Sequence, residues 1–361
     1  MEQRRQYVLF FVLVAVVVAT GFALGRSRAR DAGVLTAVPR DAWLVVSVDV
    51  AGLRQSPLAQ PLLGPGASAA VPGLGSLSGT CGFDPLTRLR ELAVTSPEGG
   101  ERGDFGVAFA GDLTRDELAG CADKVIRARG GQPATSAHGG FTVVEDTADA
   151  RHARVAYRDG GPFLVGRGGW LDAMIDAAEG KAERARAEHA ALRDALAPKA
   201  GIAARTLVLT ALLPASLRER LKRDLGPELG SEGEKTYASV LAVSAAGVAL
   251  STGPSGSTTE LVAELRCETP AACEEVKQLI ERKRLAFSRD IGVRLIGLGP
   301  LLDSLAVEAH GASLSASARA GTDDLAKAIQ RVIDYKTPRP ATPPPPAPTP
   351  TPAPTPAPSA T

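Results

Sequence analysis

Four cysteines are the residues of this chain whose chemistry is most constrained by their spacing. Cys267 and Cys273 stand in the stretch CETPAAC with five residues between them, while Cys81 and Cys121 lie far from that pair. A structural zinc site needs four ligands and usually offers a Cys-x2-4-Cys knuckle, but the gap here is longer and no histidine is near. A thioredoxin-like redox pair needs Cys-x-x-Cys, which the chain lacks. Two readings stay open: unpaired core thiols, or a structural disulfide within each pair. The surrounding residues favour disulfides. In TTELVAELRC, Leu261, Ala263, Leu265 and Cys267 alternate onto one face of a strand. Thr269 and Pro270 then form the N-cap and first residue of a helix to about Arg284, with Cys273, Val276 and Ile280 along one stripe. In the other pair, Asp84 and Pro85 open a short helix just after Cys81. Cys121 falls in a helix started by the capping box Thr114–Glu117, where Leu118, Cys121 and Val125 are expected to form the apolar stripe. Such bonds persist in an oxidising compartment, so the body is expected to be exported.

The histidines offer less. His138 sits in AHGG and reads as a solvated turn residue, whereas His152 and His310 read as surface side chains beside strands. His189 shares a helical face with Leu192 and Leu196 and reads as a packed residue. A Ser-His-Asp arrangement using His310 with Asp303 or Asp49 has no Gly-x-Ser-x-Gly to mark its nucleophile. The Gly-rich stretches carry no dinucleotide or phosphate-loop spacing, and VGRGGW (165–170) is expected to hold a glycine turn with positive φ at Gly168 or Gly169. No catalytic residue, metal site or cofactor site is assigned.

Composition bounds the remaining classes. Of 41 basic and 40 acidic side chains, five and one fall within residues 1–30, which leaves the rest of the chain slightly acidic. That balance, with aromatics at 4%, removes the electrostatic and stacking basis for nucleic-acid binding. From Tyr7 to Leu24 the chain carries no charge, and eighteen helical residues span roughly 27 Å, enough for one thin-membrane crossing. Arginines flank both sides of this run, so charge alone leaves its orientation open, and Ala23-Leu24-Gly25 also permits cleavage as a signal peptide. From Pro338 to Thr361 the Pro/Ala/Thr repeat is expected to form an extended, disordered tail of roughly 75 Å at most, a spacer or a ligand for an aromatic groove.

Between these ends the elements recur. Strands are expected at 43–50, 91–95, 105–111, 141–146, 153–159 and 163–166, then again at 206–213, 239–244, 248–251, 258–267, 304–311 and 312–320. The resulting expectation is an α+β chain: an N-terminal signal-anchor (1–30), a first unit (31–181), a connecting helix (182–198), a second related unit (199–336) and the tail (337–361). Each unit is expected to be a mostly antiparallel sheet backed by helices.

The segments VPRDAWLVVSVDV and CGFDPLTRLRELAV resemble those of membrane-anchored extracytoplasmic bacterial proteins of unknown function from high-GC genomes. The resemblance is one of pattern and covers much of residues 38–335. It implies a single-pass inner-membrane protein with its body in the periplasm, and it carries over no catalytic residue. The function expected is a non-catalytic binding or structural module that meets an envelope protein or lipid through a sheet face or the groove between halves. The alternative is an envelope hydrolase whose site assembles only in three dimensions.

Overall fold

The computed structural model of the chain describes residues 32–63, 74–98, 104–149, 151–197, 205–225, 238–253 and 256–336. The hydrophobic run at 7–24, the tail from 338 and most of the Gly-rich stretch 64–75 lie outside the described residues. Among the described residues no helix is long and apolar enough to cross a membrane.

In chain order the elements are α1 (Ala32–Leu35), β1 (Ala42–Asp49), α2 (Val50–Leu53), α3 (Ala59–Leu63), α4 (Leu74–Cys81), α5 (Pro85–Arg88), β2 (Leu89–Pro97), β3 (Gly106–Gly111) and α6 (Arg115–Ala128). They continue with β4 (Pro133–His138), β5 (Phe141–Asp146), β6 (Arg154–Tyr157), β7 (Phe163–Gly166), α7 (Gly169–Glu179) and α8 (Ala187–Ala195). The rest is β8 (Arg205–Leu212), α9 (Ala215–Leu225), β9 (Val243–Thr252), β10 (Thr258–Cys267), α10 (Pro270–Ser288), α11 (Ile291–Ile296), α12 (Gly299–Asp303), β11 (Ala306–His310), β12 (Ser313–Gly321) and α13 (Thr322–Lys336).

The strands form one sheet of twelve, ordered β11-β12-β10-β9-β8-β1-β2-β3-β7-β6-β5-β4, with every neighbouring pair antiparallel. The α+β class and the antiparallel sheet agree with the sequence pattern. The separate sheets expected for the two halves are instead fused: β1 pairs with β8 from Leu44↔Ala211 to Val48↔Leu207. Read outward from this seam, one wing runs β1-β2-β3-β7-β6 and the other β8-β9-β10-β12-β11, the first wing ending in the extra hairpin β5-β4.

Alternation divides the side chains between two layers. Val46, Val48, Phe109, Phe163, Leu207 and Leu250 point to the layer that also holds Leu53, Leu58, Leu118 and Leu325. Val45, Ala93, Ala108, Val143 and Leu164 point the other way, against Trp170, Leu171, Met174 and Ile175 of α7. Small residues on that second face let α7 approach closely: a Cβ at Gly106 would lie 2.1 Å from Met174 Sδ and 2.8 Å from Trp170 Cδ1. Trp170 is held there by donating to Thr95 Oγ1 at 3.0 Å. Helix α13 packs in the first layer, whereas α7 packs in the second, so the closing helices of the two wings fall on opposite faces.

Several local expectations shift. The buried stripe of α6 is Leu118, Ala122 and Ile126, one position on from Cys121 and Val125, because the helix faces β5 and β6 and turns Cys121 sideways toward α4. The strand expected at 239–244 begins at Val243, is continuous with the 248–251 strand, and is preceded by helical backbone at 238–241. Strand β4 was not expected; PATSAH sits at the sheet edge with its side chains largely exposed, so no apolar alternation announces it. Gly168 has φ 57°, the positive-φ turn expected in VGRGGW.

The seam has its own polar tie. His189 on α8 is 2% exposed, as its packed reading requires. Its Nε2 lies 3.0 Å from the Ala42 carbonyl and its Nδ1 2.8 Å from Thr210 Oγ1. A carbonyl only accepts, so Nε2 carries the proton and Nδ1 accepts from the threonine hydroxyl. The neutral ring thereby joins β1, β8 and α8. Burial pushes the His189 pKa below its ordinary 6.5, outweighing the opposing Ala42 hydrogen bond. Below pH 6.5 the unfolded chain takes up a proton that the folded chain resists, so stability from this group is full above 6.5 and is lost as pH falls toward the folded-state pKa.

Urea unfolding of the native chain is therefore expected to show its midpoint dropping between pH 7 and pH 5 by more than that of His189→Leu. The variant itself should be about 2–4 kcal/mol less stable at pH 7, since it leaves the Ala42 carbonyl and Thr210 hydroxyl unpaired in the core. Equal slopes for the two proteins would remove His189 as the titrating group.

Candidate functional site

Both expected cysteine pairs lie at bonding distance: Cys81–Cys121 with Cα atoms 4.6 Å apart and Cys267–Cys273 with Cα atoms 5.5 Å apart. Cys267 ends β10 and Cys273 occupies the first turn of α10, whose N-cap Thr269 accepts from Ala272 N at 3.2 Å. Pro270 fixes φ at that helix start, and the bond clamps the strand-to-helix corner over Val243, Val276 and Leu314.

The first pair does a different job. It ties the end of α4 to the middle of α6, immediately before the turn Gly82-Phe83-Asp84 that leads into α5. Two further contacts hold this turn. The Arg88 guanidinium lies 5.1 Å from the Phe83 ring centroid, and its Nη1 is 2.5 Å from Glu117 Oε1. Glu117 also closes the capping box of α6, with Oε2 accepting from Thr114 N at 3.0 Å. That backbone hydrogen bond, followed by Arg88, holds the Glu117 carboxyl below the usual range.

Beside this tied turn lies an open groove of about 630 Å³. One wall is Asp84 and Thr87 at the start of α5, another is Arg54, Ser56 and Gln60 from the α2–α3 segment, and the third is Asp323, Ala326 and Lys327 of α13. The groove thus stands at the junction of the wings, because α13 belongs to the second wing yet packs Leu325 and Ala326 against Leu53 and Leu58 of the first. Thr87 donates to the Asp84 carbonyl at 2.8 Å, and Arg54 donates to the Leu89 carbonyl, so two of the walls are joined to the sheet or to themselves by backbone contacts. Two cationic and two anionic side chains around small apolar ones suit a ligand that has an apolar body and polar ends of either sign.

The histidines fall elsewhere. His138 closes the edge strand β4 rather than a free loop, with Nε2 3.2 Å from Asp176 and Nδ1 3.6 Å from Asp172 on α7. His152 has Nδ1 3.0 Å from Asp146 and Nε2 3.8 Å from Asp149, beside a small hollow of about 50 Å³ under α6. The His152 hydrogen bond is the main cause of a lowered Asp146 pKa, while Arg151 brings Asp149 down to about 2. His310 lies 3.4 Å from Glu308 on the exposed β11. Asp303 is 3.8 Å from Arg294 instead of meeting a histidine. Among the described residues no group of three or more His, Cys, Asp or Glu side chains is placed to hold a metal ion.

Sequence reasoning placed the four cysteines but not the groove residues. Arg54, Asp84 and Lys327 come from three distant segments, and each reads alone as an ordinary surface charge. Only the Asp84-Pro85 helix start was a usable signal.

No protein-family model and no curated protein matches the chain. Among solved structures it is similar to TP0453 in crystal form III, with TM-score 0.45 and 12% identity over 84% of this chain and 100% of that one.

Removing the 81–121 bond as Cys81→Ala/Cys121→Ala is expected to cost about 4 kcal/mol, and removing 267–273 about 2 kcal/mol, from the sizes of the loops they close. Hydrogen exchange should distinguish their roles. The first double variant is expected to lose protection in residues 84–88 and the second around 269–276, and a reversed pattern would break the assignment of the groove wall to the first bond.

Proposed function

We propose that the chain is a non-catalytic binding module of the bacterial envelope, held at the inner membrane by its N-terminal hydrophobic segment with its body in the periplasm. The observation that carries this reading is the open groove at the wing junction, one wall of which is fastened by a disulfide. Two disulfides in a chain of four cysteines support an oxidising address. The body is read as two related units whose common strand order is the trace of a duplication, with β4–β5 inserted into the first.

The hydrolase alternative has weaker support. In His138 and His152 both ring nitrogens face carboxylates, so neither offers a nitrogen to a serine or threonine nucleophile. His189 does meet a hydroxyl, but it is buried in the seam away from solvent.

A ligand that binds only the folded chain raises its stability by mass action, about 2.7 kcal/mol at one hundred times its dissociation constant. Lipid, glycan and protein pools from the host envelope, each added to full-length chain in detergent, are expected to include one that raises the thermal midpoint by about 5 °C. Gln60→Trp, which fills the groove from an exposed position, should abolish that rise. No rise with any pool, or an equal rise in the variant, would overturn the groove as the binding site.

A further inference from the structure

The sharpest break from ordinary surface composition lies away from the groove, where α10 ends and α11 begins. Leu285 is 51% exposed, Ile291 76% and Leu295 72%, and no residue of α11 is buried. Ile291 and Leu295 are one turn apart and so share a face of the helix. These side chains are held outward by a well-made helix. Asp290 Oδ1 accepts from Gly292 N at 2.7 Å and Val293 N at 3.2 Å. Gly297 closes the other end at φ 97°, a conformation that favours glycine. Arg331 of α13 donates to the carbonyls of Leu295 and Ile296 at 3.0 and 3.1 Å. The helix is therefore complete without a partner, while its apolar face has none among the described residues.

The charges around this face define what would cover it. Residues 281–297 carry five basic side chains, Arg282, Lys283, Arg284, Arg289 and Arg294, against Glu281 and Asp290, in a body that is otherwise slightly acidic. Asp290 is exposed but its Oδ1 is engaged as the helix cap, Arg294 lies 3.8 Å from Asp303, and Arg282 and Arg289 stand exposed beside them. A second copy would bring arginines against arginines and is disfavoured. Outward apolar side chains ringed by long cationic ones match a surface with an apolar interior and an anionic boundary, since arginine stems lie along apolar surface while their heads reach phosphate.

We propose that the α10–α11 corner is a second membrane contact, which inserts Leu285, Ile291 and Leu295 into the interface of an anionic bilayer and sets the body down on it. The proposal uses neither the groove nor its ligand, so the two stand or fall separately.

The test places a tryptophan at the tip. Full-length Ile291→Trp and the native chain, whose Trp43 and Trp170 give the baseline, are reconstituted into vesicles of acyl-brominated phosphatidylglycerol or acyl-brominated phosphatidylcholine. Bromine quenches only indole that reaches the acyl region. The variant is expected to show quenching above baseline in phosphatidylglycerol, and less in phosphatidylcholine or in 0.5 M salt. Adding Arg282→Gln or Arg289→Gln should lower its ratio of quenched to unquenched emission about fivefold per charge removed. Baseline-level quenching in phosphatidylglycerol, or quenching indifferent to headgroup, salt and the two arginines, overturns the proposal. So does burial of the indole only when an acidic envelope protein is added. Leu295→Trp repeats the measurement at an independent exposed position, and an unchanged far-ultraviolet dichroism spectrum confirms that each variant is folded.

Discussion

Everything in this molecule depends on β1 lying beside β8. Five residue pairs, from Leu44↔Ala211 to Val48↔Leu207, turn what would be two modest sheets with exposed inner edges into a continuous one. The strand neighbours of this seam are apolar on both faces: Val46 and Val48 feed one layer, and Val45 and Ala42 the other. The pair is therefore buried from both sides, and a slip of one residue would turn each of these side chains into the wrong layer. His189 reinforces the register, because its two nitrogens reach a β1 carbonyl and a β8 hydroxyl that align only in one pairing.

The fusion has a cost that the helices settle unequally. In the first wing α7 covers one face closely, helped by Gly106 and the alanines of β2 and β3. In the second wing α10 and α13 lie on the opposite face, and on the other side α8 reaches only to Val262 of β10 through Leu196, so the strands β10, β12 and β11 show Glu264, Arg266, Ser315, Ser317 and Glu308 beyond it. Burial nevertheless pushes the Glu264 carboxyl up, against the pull of Arg266 and His310. The polarity of these strands is thus the sequence's answer to a half-covered sheet, with alternation of the kind expected for one solvated face.

Local features were legible because local physics sets them. Strands such as Phe141–Asp146 and Thr258–Cys267 have the bounds expected from period-2 patterning, and the helix starts at Thr114 and Thr269 follow from side-chain capping. The cysteine partners followed as well, since each pair falls at the junction of neighbouring elements. What could not be read is non-local. Nothing in WLVVSVDV or TLVLTALL says that they pair with one another, and each reads equally well as the first strand of its own sheet. The groove inherits that opacity, because its walls meet only after the seam has formed. The corner at α11 is illegible for another reason: IGVRLI is too short for helical periodicity, and nothing in the sequence says that Ile291 and Leu295 lie outside.

The groove's walls also differ in how they are kept in place. The α13 wall is secured by a long helix with Leu325 and Ala326 in the main core. The opposing wall is the four-residue helix α5 and a three-residue turn, which bury too little apolar surface to hold a fixed position by packing alone. What fixes it is the covalent tie from Cys81 to Cys121, with the Arg88 contacts to Glu117 and Phe83 beside it. Without that tie the wall keeps its run into β2, the Asp112 N–H donating to the Arg88 carbonyl at 2.8 Å, the Phe83 contact and an ion pair more than a third exposed on its arginine side. The shape of this wall therefore depends on the 81–121 bond, and bonds of this kind persist in oxidising compartments.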